Sequence, residues 1–100
     1  MLQYTGKQKS IRIHYGNGDT LEISYDGRNE INTVTWRDRE GIVTARYRYE
    51  HNEGGLLVRK VDILQGTEYT YYYENGDVIR IEVNSVSLDR AEEITTRQLK

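Results

Sequence analysis

A Tyr-acidic pair returns three times at one interval, and this constrains the chain more than any other feature. Tyr25-Asp26, Tyr49-Glu50 and Tyr73-Glu74 lie 24 residues apart (49 − 25 and 73 − 49), each followed by a polar, glycine-containing turn and then an aliphatic residue. Val34 and Val58, then Asp38 and Asp62, keep the same interval between the tyrosines. A period of this size marks a supersecondary unit used repeatedly, which buries its apolar face against its neighbours. Two things are expected of the pair itself: its tyrosines face inward and its acidic residues open turns.

Inside the period the chain alternates. Ile11, Ile13 and Tyr15 interleave with Arg12 and His14, and Leu21, Ile23 and Tyr25 with Glu22 and Ser24. Period two is the mark of a half-buried strand. Gly16-Asn17-Gly18-Asp19 lies between these runs, and its Asn-Gly pair predicts a type I′ hairpin turn. The text from Tyr15 to Ile23 returns from Tyr73 to Ile81, which predicts the same turn chemistry at Asn75-Gly76. Further turn signals fall at Asp26-Gly27, Asp38 to Gly41, His51 to Gly55 and Gln65-Gly66. Strands are expected near 10–15, 20–25, 31–37, 42–50, 56–63, 67–74 and 78–84, with a possible first strand at 2–5.

The faces follow from parity. Val43, Ala45, Tyr47 and Tyr49 share one side of their strand, as do Tyr69, Tyr71 and Tyr73, and Ile79, Ile81 and Val83. Thr44, Arg46, Arg48, Glu68, Thr70, Tyr72, Arg80 and Glu82 take the opposite side. Val34 and Trp36 mark the inner side of strand 31–37. One face is thus apolar-aromatic and the other charged.

The pattern changes at Ser87-Leu88-Asp89. Asp89 with Glu92 fits a capping box, with Ser87 as the other candidate N-cap, and Leu88, Ala91, Ile94 or Thr95, and Leu99 recur at helical spacing. This predicts a helix over about 88–98. Its narrow apolar stripe would cover only part of the sheet, so the sheet curls or another chain completes the cover. The expected fold is all-β: an antiparallel meander of seven or eight short strands in ~24-residue repeats, with one short C-terminal helix. The whole chain, 1–100, reads as one domain, with the repeat sheet at 10–84 and the helix within 87–99.

Composition sets the outer bounds. One hundred residues make about one domain. Hydrophobic residues are 36% of the chain, and with nine tyrosines, one tryptophan and no phenylalanine the core has to be amphipathic. The net charge of −2 comes from interspersed signs: Arg37, Arg39, Arg46 and Arg48 lie among Asp38, Glu40 and Glu50. This is a solvated, ion-paired face rather than a nucleic-acid or membrane footprint. Without cysteine there is no disulfide framework or thiolate metal site. No apolar run nears the ~20 residues of a membrane-spanning helix, and the N-terminus has no apolar signal core. A cytoplasmic location is expected if the chain is complete, an extracellular or secreted one if it belongs to a longer repeat protein.

The residues now support a family resemblance. Tyr25-Asp26-Gly27-Arg28, together with the segment Gly41-Ile42-Val43-Thr44-Ala45-Arg46-Tyr47-Arg48-Tyr49, resembles the YD repeats of Rhs proteins and teneurins. The likeness covers about residues 10–83, although Glu50 and Glu74 stand where the motif has Asp and the array is too short to close a shell. It implies a scaffold of strand-turn-strand units with no catalytic residues to carry over. A second, more local likeness, at Tyr72-Tyr73-Glu74-Asn75-Gly76, is to small repeat antitoxins of the YwqK type.

Little in the chain calls for catalysis. His14 points to the polar side of its strand, His51 is expected in a turn, and neither has a companion at metal-ligand spacing. Asn17, Asp19, Asn75 and Asp77 have an ordinary reason to sit in turns and lack calcium-loop spacing. Glu22, Glu50, Glu68, Glu74 and Glu82 read as solvated, whereas a general acid needs burial to raise its pKa. No cofactor, metal or catalytic residue is expected.

Binding is the better expectation. Trp36, Tyr47, Tyr49, Tyr69, Tyr71 and Tyr73 form an aromatic ladder suited to a partner protein or a sugar, although such rings also serve as ordinary core. Tyr72 joins them as a possible contact, because parity sends it to the charged face. At the edges, Lys7 and Lys9 read as protective, while Val78 to Val83 is apolar and unbroken and has to be covered or paired. The chain thus reads as a non-enzymatic structural or interaction module that binds a protein partner through its sheet face or edge, or associates with itself. The alternatives are a standalone antitoxin or immunity protein, and carbohydrate binding through the ladder.

Overall fold

The structure, a computed structural model, describes residues 9–87 and Ala91. The possible strand at 2–5 and Lys7 lie outside the described residues, as does the predicted helix over 88–98 except for Ala91. Seven strands follow in order: β1 (Lys9–His14), β2 (Thr20–Tyr25), β3 (Ile31–Arg37), β4 (Val43–His51), β5 (Leu57–Asp62), β6 (Thr67–Glu74) and β7 (Asp77–Ser85). Each matches its expected span to within one or two residues. They stand in chain order in one sheet, and every pair given by its register is antiparallel. His51 closes β4 instead of lying in the turn.

Short turns make the meander, and four of them share one geometry. Gly18 N–H donates to the Tyr15 carbonyl, Asn29 to Asp26, Gly41 to Asp38 and Gly55 to Asn52, while the residue that opens each loop donates to the carbonyl four positions on. Each is a three-residue loop whose last residue has positive φ: Gly18 (96°), Asn29 (67°), Gly41 (88°) and Gly55 (89°). That conformation favours glycine and asparagine. In three of the loops a side chain repeats the backbone's work. Asp26, Asp38 and Asn52 each turn Oδ1 toward the N–H groups two and four residues ahead, at 2.9–3.0 Å. This is the local reason for Asp and Asn at those positions.

The two Asn-Gly turns differ, against expectation. Asn75 (φ 55°) and Gly76 (φ 86°) are both left-handed and form the two-residue turn of type I′. At the first, only Gly18 is left-handed, because Asn17 stays at negative φ and its Oδ1 accepts the Asp19 N–H at 2.9 Å. Gly18 alone supplies the left-handed residue that the longer loop needs.

The thrice-repeated pair also takes three conformations. Tyr25, Tyr49 and Tyr73 lie at or near the ends of β2, β4 and β6, each close to a register irregularity. Asp26 opens a turn and Glu74 flanks one, but Glu50 is an internal residue of β4, opposite Arg59. The expectation that all three acids open turns therefore fails at Glu50.

Two compact units divide the chain, Met1–Arg46 and Tyr47–Lys100. In the first, Ile11, Ile13, Leu21, Ile23, Val34 and Trp36 fall on one face by register. Leu21 is its one buried apolar side chain among the described residues. In the second, Val61, Ile63 and Ala91 form a buried cluster with Val86 packed against it. The Ala91 amide donates to the Ser87 carbonyl at 2.9 Å.

The second unit's cover lies on an unexpected side. Val61 stands opposite Arg48 on one neighbouring strand and Glu68 on the other, so its face is the charged one. Arg48 is only 4% exposed there and Val61 1%. Ala91 thus packs over the charged face, not the aromatic one. Val61 and Ile63 supply the apolar surface that makes this side coverable.

Candidate functional site

The side of the second unit opposite the buried cluster carries the tyrosines. Register places Tyr49 opposite Lys60, Lys60 opposite Tyr69, and Tyr69 opposite Val83, with Tyr71 opposite Ile81 along the same face. Tyr47, Tyr49, Tyr69, Tyr71 and Tyr73 are all half-buried. The Lys60 ammonium lies 5.2 Å from the Tyr47 ring centroid and 4.7 Å from that of Tyr69, within reach of a cation–π attraction to both. Tyr47 and Tyr49 lean on each other at 6.4 Å and a 53° tilt. The Tyr73 hydroxyl donates to the Leu57 carbonyl at 2.6 Å, which fixes that ring.

Packing of this kind changes the phenols. Burial raises the pKa of Tyr49 above the ordinary tyrosine value, with Tyr47 and Tyr71 adding to it. Burial likewise raises Tyr71, helped by Tyr69 and Tyr73. The patch is therefore a neutral aromatic surface around one cation.

Two of the expected contact residues stand elsewhere. Trp36 belongs to the first unit, opposite Leu21, with the Tyr15 ring stacked on it at 5.8 Å and 18°. Tyr72 lies on the charged face, as its parity predicts. Its hydroxyl donates to Glu82 Oε1 at 3.1 Å, and the Arg80 guanidinium sits 4.3 Å from its ring centroid. Those two contacts hold the exposed ring against the charged face.

Lys60 is the residue that sequence reading missed. Leu57-Val58-Arg59-Lys60-Val61-Asp62 has no clear alternation, so parity alone gives β5 no face. Register counted back from the Asp62–Thr67 pair would have found it.

Opposite this patch runs an ion triad: the Arg59 guanidinium donates a hydrogen bond to Glu50 at 3.1 Å and forms an ion pair with Glu68 at 2.9 Å. The first unit has a triad of its own, in which Glu22 meets Arg12 at 3.2 Å and Arg37 at 3.9 Å. His14 and His51 fall in different units, and among the described residues no group of three or more His, Cys, Asp or Glu is placed to hold a metal ion. No helix among the described residues is long and apolar enough to cross a membrane. Comparisons with protein-family models, with curated proteins and with solved structures returned no match.

Proposed function

We propose that the chain is a non-enzymatic β-scaffold, of the kind its YD-repeat resemblance implies, that binds a protein partner through the tyrosine face of its second unit or through a sheet edge. The observation that supports this reading is Lys60 held between the Tyr47 and Tyr69 rings, while the unit's buried cluster sits on the opposite side. Half-buried rings with polar tips and a central ammonium suit an extended polypeptide carrying aromatic and acidic side chains. Placement of the pair near the ends of β2, β4 and β6 supports a two-strand repeat as the building unit.

Nitration of the isolated chain by tetranitromethane tests the face. Tyr47, Tyr49, Tyr69 and Tyr71 should react, with Lys60→Ala increasing the reactivity of Tyr47 and Tyr69. A compact monomer whose tyrosines all resist the reagent would sink the face reading. Sugars would use the same rings, so a glycan array and a tyrosine fluorescence titration decide between the two ligand classes.

A further inference from the structure

Among the described residues no strand pairs with the outer edge of β7, and the charge pattern of that edge complements itself. This strand stands at one end of the sheet order, and all nine of its residues are exposed. Ile79, Ile81 and Val83 are 59%, 51% and 56% exposed. An edge strand turns alternate N–H and C=O groups outward, which makes an uncovered apolar edge a template for pairing. Along β7 the side chains run Arg80-Ile81-Glu82, with Ile81 at the midpoint of Asp77–Ser85.

We propose that β7 pairs antiparallel with β7 of a second copy of this chain, about a two-fold axis passing through Ile81. In this register Ile81 meets Ile81 and Arg80 of each copy stands opposite Glu82 of the other, all within the regular part of β7 beyond the irregularity at Ile79. Two opposite-charge cross-strand pairs and a central apolar pair are the contacts that stabilise antiparallel neighbours. The interface is isologous and closes on itself, as most homodimers do.

The same residues reject the neighbouring registers. Sliding by two residues sets Arg80 opposite Arg80, or Glu82 opposite Glu82, and a slide by one sets Arg80 against Ile81 and mixes the faces. The other edge lacks this property. β1 carries Lys9 and Arg12 and no carboxylate, so no register of β1 with itself brings opposite charges together. Like charges facing across strands are a natural defence of an edge. An axis normal to the sheet keeps the tyrosine faces of the two copies on one side, joined through Ile81 and Val83.

This proposal rests on the edge arm of the reading above and is judged separately from the tyrosine face. Sedimentation equilibrium of the full chain should show a dimer. R80E and E82R should each raise its dissociation constant about tenfold, by replacing attraction with repulsion at both symmetry-related pairs. The double variant R80E/E82R should restore the dimer, and an equimolar mixture of the two single variants should give a heterodimer. The chain has no cysteine, so I81C provides a clean reporter. Oxidation should link two I81C chains across the axis, where facing Cα atoms are about 4.5–5.5 Å apart, whereas I11C on β1 should stay unlinked. A wild-type chain that stays monomeric, a dimer indifferent to the charge swaps, or I81C that links no better than I11C overturns the proposal. A monomer whose tyrosines react with tetranitromethane leaves the face reading standing.

Discussion

The two units share a surface device with its signs reversed. In the first, two arginines flank a glutamate across β1, β2 and β3. In the second, two glutamates flank an arginine across β4, β5 and β6. Yet among the described residues only the second has a buried apolar cluster, built on Val61, Ile63 and Ala91. Partly exposed ion pairs contribute little, while a closed apolar contact contributes in proportion to the area taken from water. The first unit therefore depends on its turns and cross-strand pairs, and the second on its covered face.

The largest expected effect tests that contrast directly. Val61→Ala should lower unfolding free energy by about 2 kcal/mol through lost burial and the cavity left behind, whereas Ile11→Ala, on an exposed strand, should cost about 0.5 kcal/mol or less. Equal losses in urea denaturation would abolish the distinction. Next come the turns. Gly18→Ala forces a left-handed alanine and sets its Cβ 2.7 Å from the Arg39 Cβ, for an expected cost of about 2 kcal/mol. Gly76→Ala meets open space and should cost about 1 kcal/mol. Asp38→Ala, which removes the acceptor for the Glu40 and Ile42 amides, should cost about 1 kcal/mol in thermal unfolding. Similar values for Gly18→Ala and Gly76→Ala would show that the Arg39 contact relaxes freely.

The smallest differences are electrostatic. Arg59→Met should cost up to about 1 kcal/mol and Glu22→Gln less, because Glu68 is the least exposed member of either triad, and both costs should shrink in 1 M salt. At neutral pH the phenols of Tyr49 and Tyr71 are uncharged and stability should not change with pH on their account. Their folded pKa values lie above the ordinary value of about 10, so the folded chain holds these protons longer than the unfolded chain. Stability from this source is complete below pH ~10 and falls as pH rises from there toward the raised folded values. Tyr49→Phe and Tyr71→Phe should flatten that decline, measured by denaturation at a series of alkaline pH values.

Strands were legible in the sequence because alternation and turn residues act locally. Ile11 to Tyr15 and Leu21 to Tyr25 announce their faces, and Asp26, Asp38 and Asn52 announce the loops that their own side chains bond. The side that is covered was not legible. Val61 reads as one apolar residue among charges, and only register shows it between Arg48 and Glu68, beneath Ala91. Lys60 was hidden for the same reason. Nor could the shared Asn-Gly-Asp text separate two loop types, since the outcome depends on whether the asparagine bonds the Asp amide, as Asn17 does, or takes up left-handed φ itself, as Asn75 does.

Loops of two to four residues between paired strands also have a kinetic meaning. Every strand whose register is given pairs with its immediate neighbour in the chain, so little loop entropy separates any strand from its partner. Among all-β chains this is a local topology, and local topologies fold fast. Each hairpin with its own Asx-bonded loop is a short-range starting point for the sheet, which should shorten the time for which bare strand edges face other chains during folding.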